Sequence, residues 1–417
     1  MELKRLWVER ERQPGEGVPG VFFLGDAAEL MPRLLEKYRG SVQCIYLDPP
    51  FTTGKRFVLR TRVGEKEWRS GNGSLMQTAY QDNMPRDAYM AMMEQVLRGC
   101  RALLSDTGLI FMHIDYRLHG HMRLLMDRIF GEERLLNEIV WAYQTGGRAR
   151  RYFGRKHDII LLYSKGPRYY FDLKSTGEVR PGGRSNHMKK HVDPDGRVYR
   201  SIRSGGKIYT YYDDEPVYPG DVWDDVSHLQ QKDPQRTGYD TQKPMRLLER
   251  VIHCSTRPGD LVMDLFAGSG TSLATALQLG RPFVGADNSP LSLYTVRRRL
   301  AGAPVEYMAQ PSQGEPQVEV RGWVGIGYYE VEMADYQVES GVSARSFVGL
   351  DALDSWALGY MRGGAFCPMA AEYRSRTAPA LGLRLRLPVL TGAPVLRVGD
   401  VLGRFFYYEL DEGGMGI

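Results

Sequence analysis

The sequence predicts an α/β fold on an open, mostly parallel sheet, and three observations carry that expectation. First, the short apolar run 21–24, an amphipathic stretch over 27–38 and the strand formers Val42-Gln43-Cys44-Ile45-Tyr46-Leu47 follow one another as strand, helix, strand. Second, that last run stops abruptly at Asp48-Pro49-Pro50-Phe51, which puts an acid at a strand tip, where open α/β sheets keep their chemistry. Third, more than two hundred residues downstream, the strand 261–265 runs into the glycine turn Asp264-Leu265-Phe266-Ala267-Gly268-Ser269-Gly270-Thr271 and then a helix over 272–279.

Taken in order, residues 1–20 are charged and contain Pro and Gly, which predicts a loose N-terminal arm. After Phe51, residues 52–82 are polar and glycine-spotted, including Gly71-Asn72-Gly73-Ser74, and predict a long loop or lid beside the strand tip. Apolar residues recur at helical spacing over 87–104, a strand follows over 109–115, and a second helix runs to Phe130. Two final strands are expected over 138–143 and 158–163. The connection between them holds Arg148, Arg150, Arg151, Arg155 and Lys156 with Tyr152 and Phe153, the composition of a segment that grips a nucleic-acid backbone, though a solvated loop would read similarly. Residues 165–235 replace the α/β rhythm with short β-like runs such as Lys207–Tyr212 and predict an inserted, mostly irregular region. Regular order resumes with a helix opened by Thr241-Gln242-Lys243-Pro244, proline lying near its first turn. Beyond residue 300 the alternation stops. Strands are expected over 323–338, 381–387 and 395–410, with a helix near 350–360, as a small β-rich domain.

The two motifs suggest complementary chemistry. Proline fixes φ and removes N–H donors, so Asp48 and the Pro49 carbonyl form a rigid pair of acceptors beside an aromatic ring. A planar base with an exocyclic amine could donate to both while stacking on Phe51. Four residues alone leave open an ordinary turn. In the second motif the glycines allow close backbone approach, and Asp287 ends the next strand about 20 residues on, the offset at which an acid takes the hydroxyls of an adenosine ribose. Leu273 stands where a dinucleotide fingerprint wants glycine or alanine, and no Gly-Lys-Ser/Thr phosphate loop is present. An adenosine-containing ligand without a phosphate fits better, with a nucleotide-binding dehydrogenase as the alternative.

Together, Asp48-Pro49-Pro50-Phe51 and Asp264–Thr271 resemble the catalytic and cofactor motifs of the S-adenosylmethionine-dependent amino methyltransferases of DNA, which modify adenine N6 or cytosine N4. Thr241-Gln242-Lys243-Pro244 and Gly25-Asp26 resemble two further motifs of that family. The catalytic motif precedes the cofactor motif, a permuted order that marks the beta group, which includes many adenine methyltransferases and the modification subunits of type III restriction systems; the likeness covers roughly residues 21–300. It implies a Rossmann-like methyltransferase sheet with an antiparallel last strand. It divides the chain into an arm (1–20), a catalytic half (21–145), a target-recognition region (146–235, with a core strand near 158–163), a cofactor half (236–305) and the C-terminal domain (306–417).

Carried over, Asp48 and Pro49 would accept from the target amine, with Pro50 fixing the turn, and Phe51 would stack on a base flipped out of duplex DNA. Asp264, Phe266, Ala267, Gly268, Ser269, Gly270 and Thr271 would line the S-adenosylmethionine pocket, Asp287 would hold the ribose, Asp26 would lie by the adenine, and Thr241, Lys243 and Pro244 would serve the methionine end. The chain departs from the pattern at Thr52-Thr53-Gly54, where the family often has Asn-Thr-Gly. Adenine N6 is the expected target, because members acting on cytosine N4 more often carry serine at the position of Asp48; cytosine N4 and a restriction-complex subunit are the alternatives.

Composition sets outer limits. The 417 residues carry a net charge of +5, with 42% hydrophobic and 25% charged residues, ordinary for a globular protein that could bind a polyanion. Four well-separated cysteines give no disulfide framework or zinc pattern, and His187 with His191 is a weak exception, so no metal is expected. Without a signal-peptide pattern or a membrane-length apolar run, a cytoplasmic, nucleoid-associated location is expected. Homodimerisation and a restriction partner stay open.

Overall fold

The computed structural model describes residues 3–13, 19–72, 75–143, 149–179, 188–230, 233–338, 348–375 and 377–411. Its core is a run of nine neighbouring strands in the order Val305–Met308, Gly20–Leu24, Phe283–Asp287, Leu261–Asp264, Val42–Leu47, Leu104–Ile114, His157–Ser164, Leu135–Ala142, Val222–Trp223. Neighbours are parallel throughout except at His157–Ser164, which runs antiparallel to both of its partners. The expected reversed strand is therefore present, lying two places inside the edge.

Both faces are covered, as a parallel sheet requires. In the strand Val42–Leu47, Val42, Ile45 and Leu47 pack into one core, while Cys44 and Tyr46 enter the other. Helices Ala27–Tyr38, Arg86–Leu103 and His119–Phe130 fill the first core; Met245–Ser255, Thr271–Gln278 and Pro290–Arg299 fill the second. Because the central strands are parallel, their carboxyl ends, at Leu24, Leu47, Asp264 and Asp287, share one edge of the sheet.

Four expectations are corrected. The described residues 3–13 are not a loose arm. Leu3–Leu6 pairs antiparallel with Phe405–Leu410, and Arg10–Arg12 lies between Val305–Met308 and Ala365–Tyr373, so one row of hydrogen-bonded strands continues from the core into the C-terminal region. Residues 52–82 are not a plain loop: Arg56–Thr61 and Leu75–Gln81 form an antiparallel hairpin around the helix Gly64–Ser70. Residues 165–235 are less irregular than expected: besides the foreseen strand Lys207–Tyr212, the strands Lys189–Val192 and Val198–Ser204 complete a three-stranded antiparallel sheet. The helix expected near 350–360 is a single 3-10 turn, Gly349–Ala352, followed by the strand Leu353–Arg362. The first eight residues of that strand are all buried, and a strand covered on both faces has no two-residue alternation to distinguish it from a buried helix. Among the described residues, no helix is long and apolar enough to cross a membrane.

The join between core and C-terminal region is ionic. Glu11, fully buried, accepts from Arg397 at 2.7 Å and from the Tyr407 hydroxyl at 2.9 Å, and forms an ion pair with Arg297 at 3.0 Å. Arg297 comes from the helix Pro290–Arg299, and Arg397 and Tyr407 from C-terminal strands. Burial alone would raise the Glu11 carboxyl, but the two guanidinium groups hold it below its ordinary value. Its stabilisation is therefore present above the unfolded glutamate pKa of about 4.3 and is lost as pH falls through the lower folded value. Glu11→Ala leaves two buried cations without their acid. It should cost about 3–5 kcal/mol in urea-induced unfolding at neutral pH, and a cost below that of an ordinary surface substitution would contradict the assignment.

Candidate active site

The strand edge opens on a cavity of about 190 Å³ whose walls come from both halves of the sequence. Asp48, Pro49, Pro50 and Phe51 line one side. Asp264, Phe266, Ala267, Gly268, Ser269, Thr271 and Asp287 line another, and Asp26, Thr241 and Lys243 complete it. The parallel pairing of Val42–Leu47 with Leu261–Asp264, with Ile45 opposite Met263, brings the two motifs together.

Each wall has a local cause. Asp26 caps the helix Ala27–Tyr38, accepting from the Ala28 and Glu29 backbone N–H groups at 2.8 and 3.3 Å. Asp264 ends its strand and accepts from Phe266 N at 3.0 Å and from the Ser272 hydroxyl, so the turn is tied to the helix it opens. Burial pushes the Asp264 carboxyl up to about 7. Asp287 accepts from Gly268 N at 2.8 Å and Ser289 N at 2.9 Å, and burial pushes it up to about 6. Gly268 has φ +50°, and only Tyr239 Cε1 and Phe266 O lie within 4 Å of an added Cβ, so this backbone is open towards the cavity. Gly270 does not line the cavity; with φ +72° it packs under the helix Pro290–Arg299, where a Cβ would meet Val296 Cγ2 at 2.7 Å. Pro244 also lies off the wall and caps the helix Met245–Ser255.

Lys243 joins the two motifs. Its ammonium donates to Asp48 Oδ2 and sits 5.7 Å from the centroid of the Phe51 ring. Its backbone carbonyl accepts from the Thr271 hydroxyl at 3.2 Å. One residue thus touches the acid, the aromatic and the glycine turn.

Two site residues, Asp82 and His113, were not foreseen from the sequence. Asp82, 2% exposed, accepts from the backbone N–H groups of Phe51, Thr52 and Thr53 at 3.2, 2.7 and 2.8 Å, closing the turn after Pro50. Thr52 is held at φ +51°, the one non-glycine residue with positive φ among the described residues. Asparagine tolerates that conformation better than a β-branched residue, which is a physical reason for Asn-Thr-Gly to be common here and for Thr52 to need the Asp82 clasp. Behind Phe51, the buried His113 stacks at 6.2 Å and 24°; its Nδ1 meets the Tyr46 hydroxyl at 2.8 Å and its Nε2 meets Asp158 at 3.2 Å. His113 could have been singled out as the polar residue within the apolar run 109–114. The role of Asp82 depends on a chain reversal of some thirty residues and has no local signal.

Of the basic connection, Arg148 lies outside the described residues, as does His187. Arg150, Arg151, Arg155 and Lys156 are exposed and away from the cavity. Arg155 donates to the Tyr116 hydroxyl at 2.5 Å and stacks on that ring, and Phe153 is 98% exposed. His191 stacks on Tyr199.

A largely parallel α/β sheet thus brings the glycine turn and the Asp-Pro-Pro-Phe corner into one cleft at its carboxyl edge, where open α/β sheets bind ligands. The profile of the N6/N4 DNA methylase family matches residues 42–295, and the chain belongs to that family, whose methyl donor is S-adenosylmethionine. The Type II methyltransferase M.EcaI of Enterobacter cloacae is 28% identical over 331 residues, covering 68% of this chain and 70% of that protein. The DNA adenine methyltransferase YhdJ of Escherichia coli K12 is 25% identical over 261 residues, covering 62% and 76%. The Type III restriction-modification enzyme StyLTI Mod subunit of Salmonella typhimurium is 23% identical over 324 residues, covering 62% and 50%.

Removing the clasp tests the geometry. Asp82→Ala should leave the fold intact but loosen Phe51 through Thr53, lowering kcat by about 100-fold, the scale of a 1 Å misplacement. Unchanged turnover in steady-state kinetics would show that the turn holds its shape without Asp82.

Proposed function

We propose that this chain is a site-specific methyltransferase that modifies adenine N6 of a base extruded from duplex DNA, and that Asp48 to Phe51 perform the chemistry. The single observation that carries this reading is the meeting of Asp48, Phe51 and Lys243 with the Phe266–Thr271 turn in one cavity.

The cavity suits the cofactor. Its open Gly268 backbone admits a close ligand, the Asp287 carboxylate faces it, and the Tyr89 hydroxyl in its wall is buried with no hydrogen-bond partner among the described residues. Asp287 would take the ribose hydroxyls, Asp26 would lie by the adenine, and Thr241 and the Phe266–Thr271 turn would hold the rest. When bound, S-adenosylmethionine supplies a methyl group made electrophilic by its sulfonium.

The remaining work belongs to the protein. An adenine amine is a poor nucleophile because its lone pair is delocalised into the ring. Asp48 Oδ1, which accepts no hydrogen bond among the described residues, and the rigid Pro49 carbonyl would accept its two hydrogens. Accepting them out of the ring plane favours pyramidal nitrogen and frees the lone pair. That gain exists only on the way to the transition state and is worth about 3 kcal/mol per acceptor if each acts like one oxyanion-hole donor. Phe51, backed by His113, offers a stacking face that offsets part of the few kcal/mol needed to unstack the base. Lys243 orients Asp48 from the other side. The exposed Arg150, Arg151, Tyr152 and Phe153 are assigned to grip the DNA backbone. Asp48, where serine is commoner among cytosine N4 enzymes, favours adenine, as does the likeness to YhdJ. The likeness to the StyLTI Mod subunit supports a second reading, service to a restriction partner, which co-purification with a large ATPase would favour.

Incubating the chain with unmethylated DNA and the methyl donor, then digesting to nucleosides, should yield N6-methyldeoxyadenosine; N4-methyldeoxycytidine would overturn the choice of base. Asp48→Ala should abolish transfer with DNA affinity retained, and equal loss of both in a folded variant would contradict the role given to Asp48. Asp287, at about 6, gains its charge as pH rises through that value and becomes the stronger acceptor for ribose hydroxyls. Cofactor affinity by calorimetry should therefore rise between about pH 5 and pH 7.5, and Asp287→Asn should flatten the rise. An equally steep rise in Asp287→Asn would remove Asp287 from the site.

A further inference from the structure

A second concavity, about 1310 Å³, adjoins the active-site cavity, and Phe57 lines both. Its wall is built by close chain crossing. Arg60 N donates to Gly238 O at 3.1 Å, Asp240 N donates to Val58 O at 3.2 Å, and Gly238 has φ +98° with Arg60 O only 2.4 Å from where a Cβ would stand. The lining is strongly basic, with Lys55, Arg56, Arg60, Arg236 and Arg299 among its cations and Asp240 its one acid.

Several other exposed arginines, Arg69, Arg98, Arg197, Arg384 and Arg386, each pair with an acid. In this groove Lys55, Arg56 and Arg60 are exposed and, among the described residues, make no ion pair. Asp240 is already engaged, its Oδ2 accepting from Val58 N at 3.2 Å. Arg236 donates to the Leu229 carbonyl at 2.8 Å, and Arg299 to Thr271 Oγ1 at 3.0 Å, so neither is neutralised by a carboxylate there. The groove keeps an uncompensated positive field, which a polyanion relieves.

We propose that this groove is a track for the phosphodiester backbone of the substrate nucleic acid, a contact surface separate from the basic connection over 149–156. The inference rests on the functional reading above. Arg56 and Arg60 stand four residues apart on one strand, about 13 Å, which spans roughly four nucleotides of axial rise. Guanidinium groups match phosphate oxygens bidentately. Position supports the same ligand: Phe57 divides the groove from the cavity, and Arg299 reaches the Thr271 side chain, which lines that cavity. A strand that delivers one nucleotide to Asp48 must run its flanking phosphates past the mouth of the cavity, and this groove adjoins it.

The test is the salt dependence of binding to a fluorescent duplex of arbitrary sequence, measured by anisotropy. Each phosphate contact contributes about 0.9 to the slope of log affinity against log salt, so Arg56→Gln with Arg60→Gln should flatten that slope by about 1.8. Calorimetric affinity for S-adenosylmethionine should stay unchanged, since neither residue lines the cofactor cavity. Lys37→Gln with Arg39→Gln removes the same charge from the far end of the helix that starts at Asp26 and should leave the slope as it is. A groove variant with the full slope, or a control that loses as much, overturns the track. If the unaltered chain neither binds duplex nor transfers methyl groups, the functional reading itself fails and the track with it.

Discussion

The parallel pairing of Val42–Leu47 with Leu261–Asp264 is the constraint on which the site depends, because it makes neighbours of two strand ends more than two hundred residues apart in sequence. Parallel strands deliver their carboxyl ends to one edge, so Asp48 and the glycine turn must emerge side by side. The ion pair from Lys243 to Asp48 then locks the edge laterally, and the hydroxyl of Thr271 bonded to the Lys243 carbonyl closes the triangle. Remove the pairing and each motif is an ordinary turn.

Around that edge, rigidity is supplied in layers. Prolines 49 and 50 set the path of the corner, Asp82 takes three consecutive N–H groups after it, and His113 backs the aromatic ring. These contacts hold Phe51 from the backbone side and from behind, as a preorganised site requires. Asp264 and Asp287 do the corresponding work for the turn, and both are buried deeply enough to be raised far above ordinary aspartate.

Much of this was legible in the sequence. The alternation of apolar and turn residues revealed the core strands, and Asp48, Phe51, Gly268 and Asp287 were named from chemistry and spacing alone. What escaped was what needs three dimensions. Asp82 looks like any polar loop residue until the hairpin returns it to Phe51, and Lys243 could be placed near the cofactor but not on Asp48. The N-terminal strands were missed because Glu11 reads as a surface charge; only the convergence of Arg297 and Arg397 makes it a buried one. Gly270 was taken for a ligand contact, yet its glycine is required by the helix packed on it. The strand Leu353–Arg362 failed for the opposite reason, being too uniformly buried to show a period.

The most direct test of the convergent cleft is photolabelling with radioactive S-adenosylmethionine followed by peptide mapping. The account predicts label on peptides containing Asp48 to Phe51 and on those containing Phe266 to Thr271, with both protected by excess unlabelled cofactor. Label confined to a peptide that contributes nothing to this cavity, such as 189–212, would contradict it.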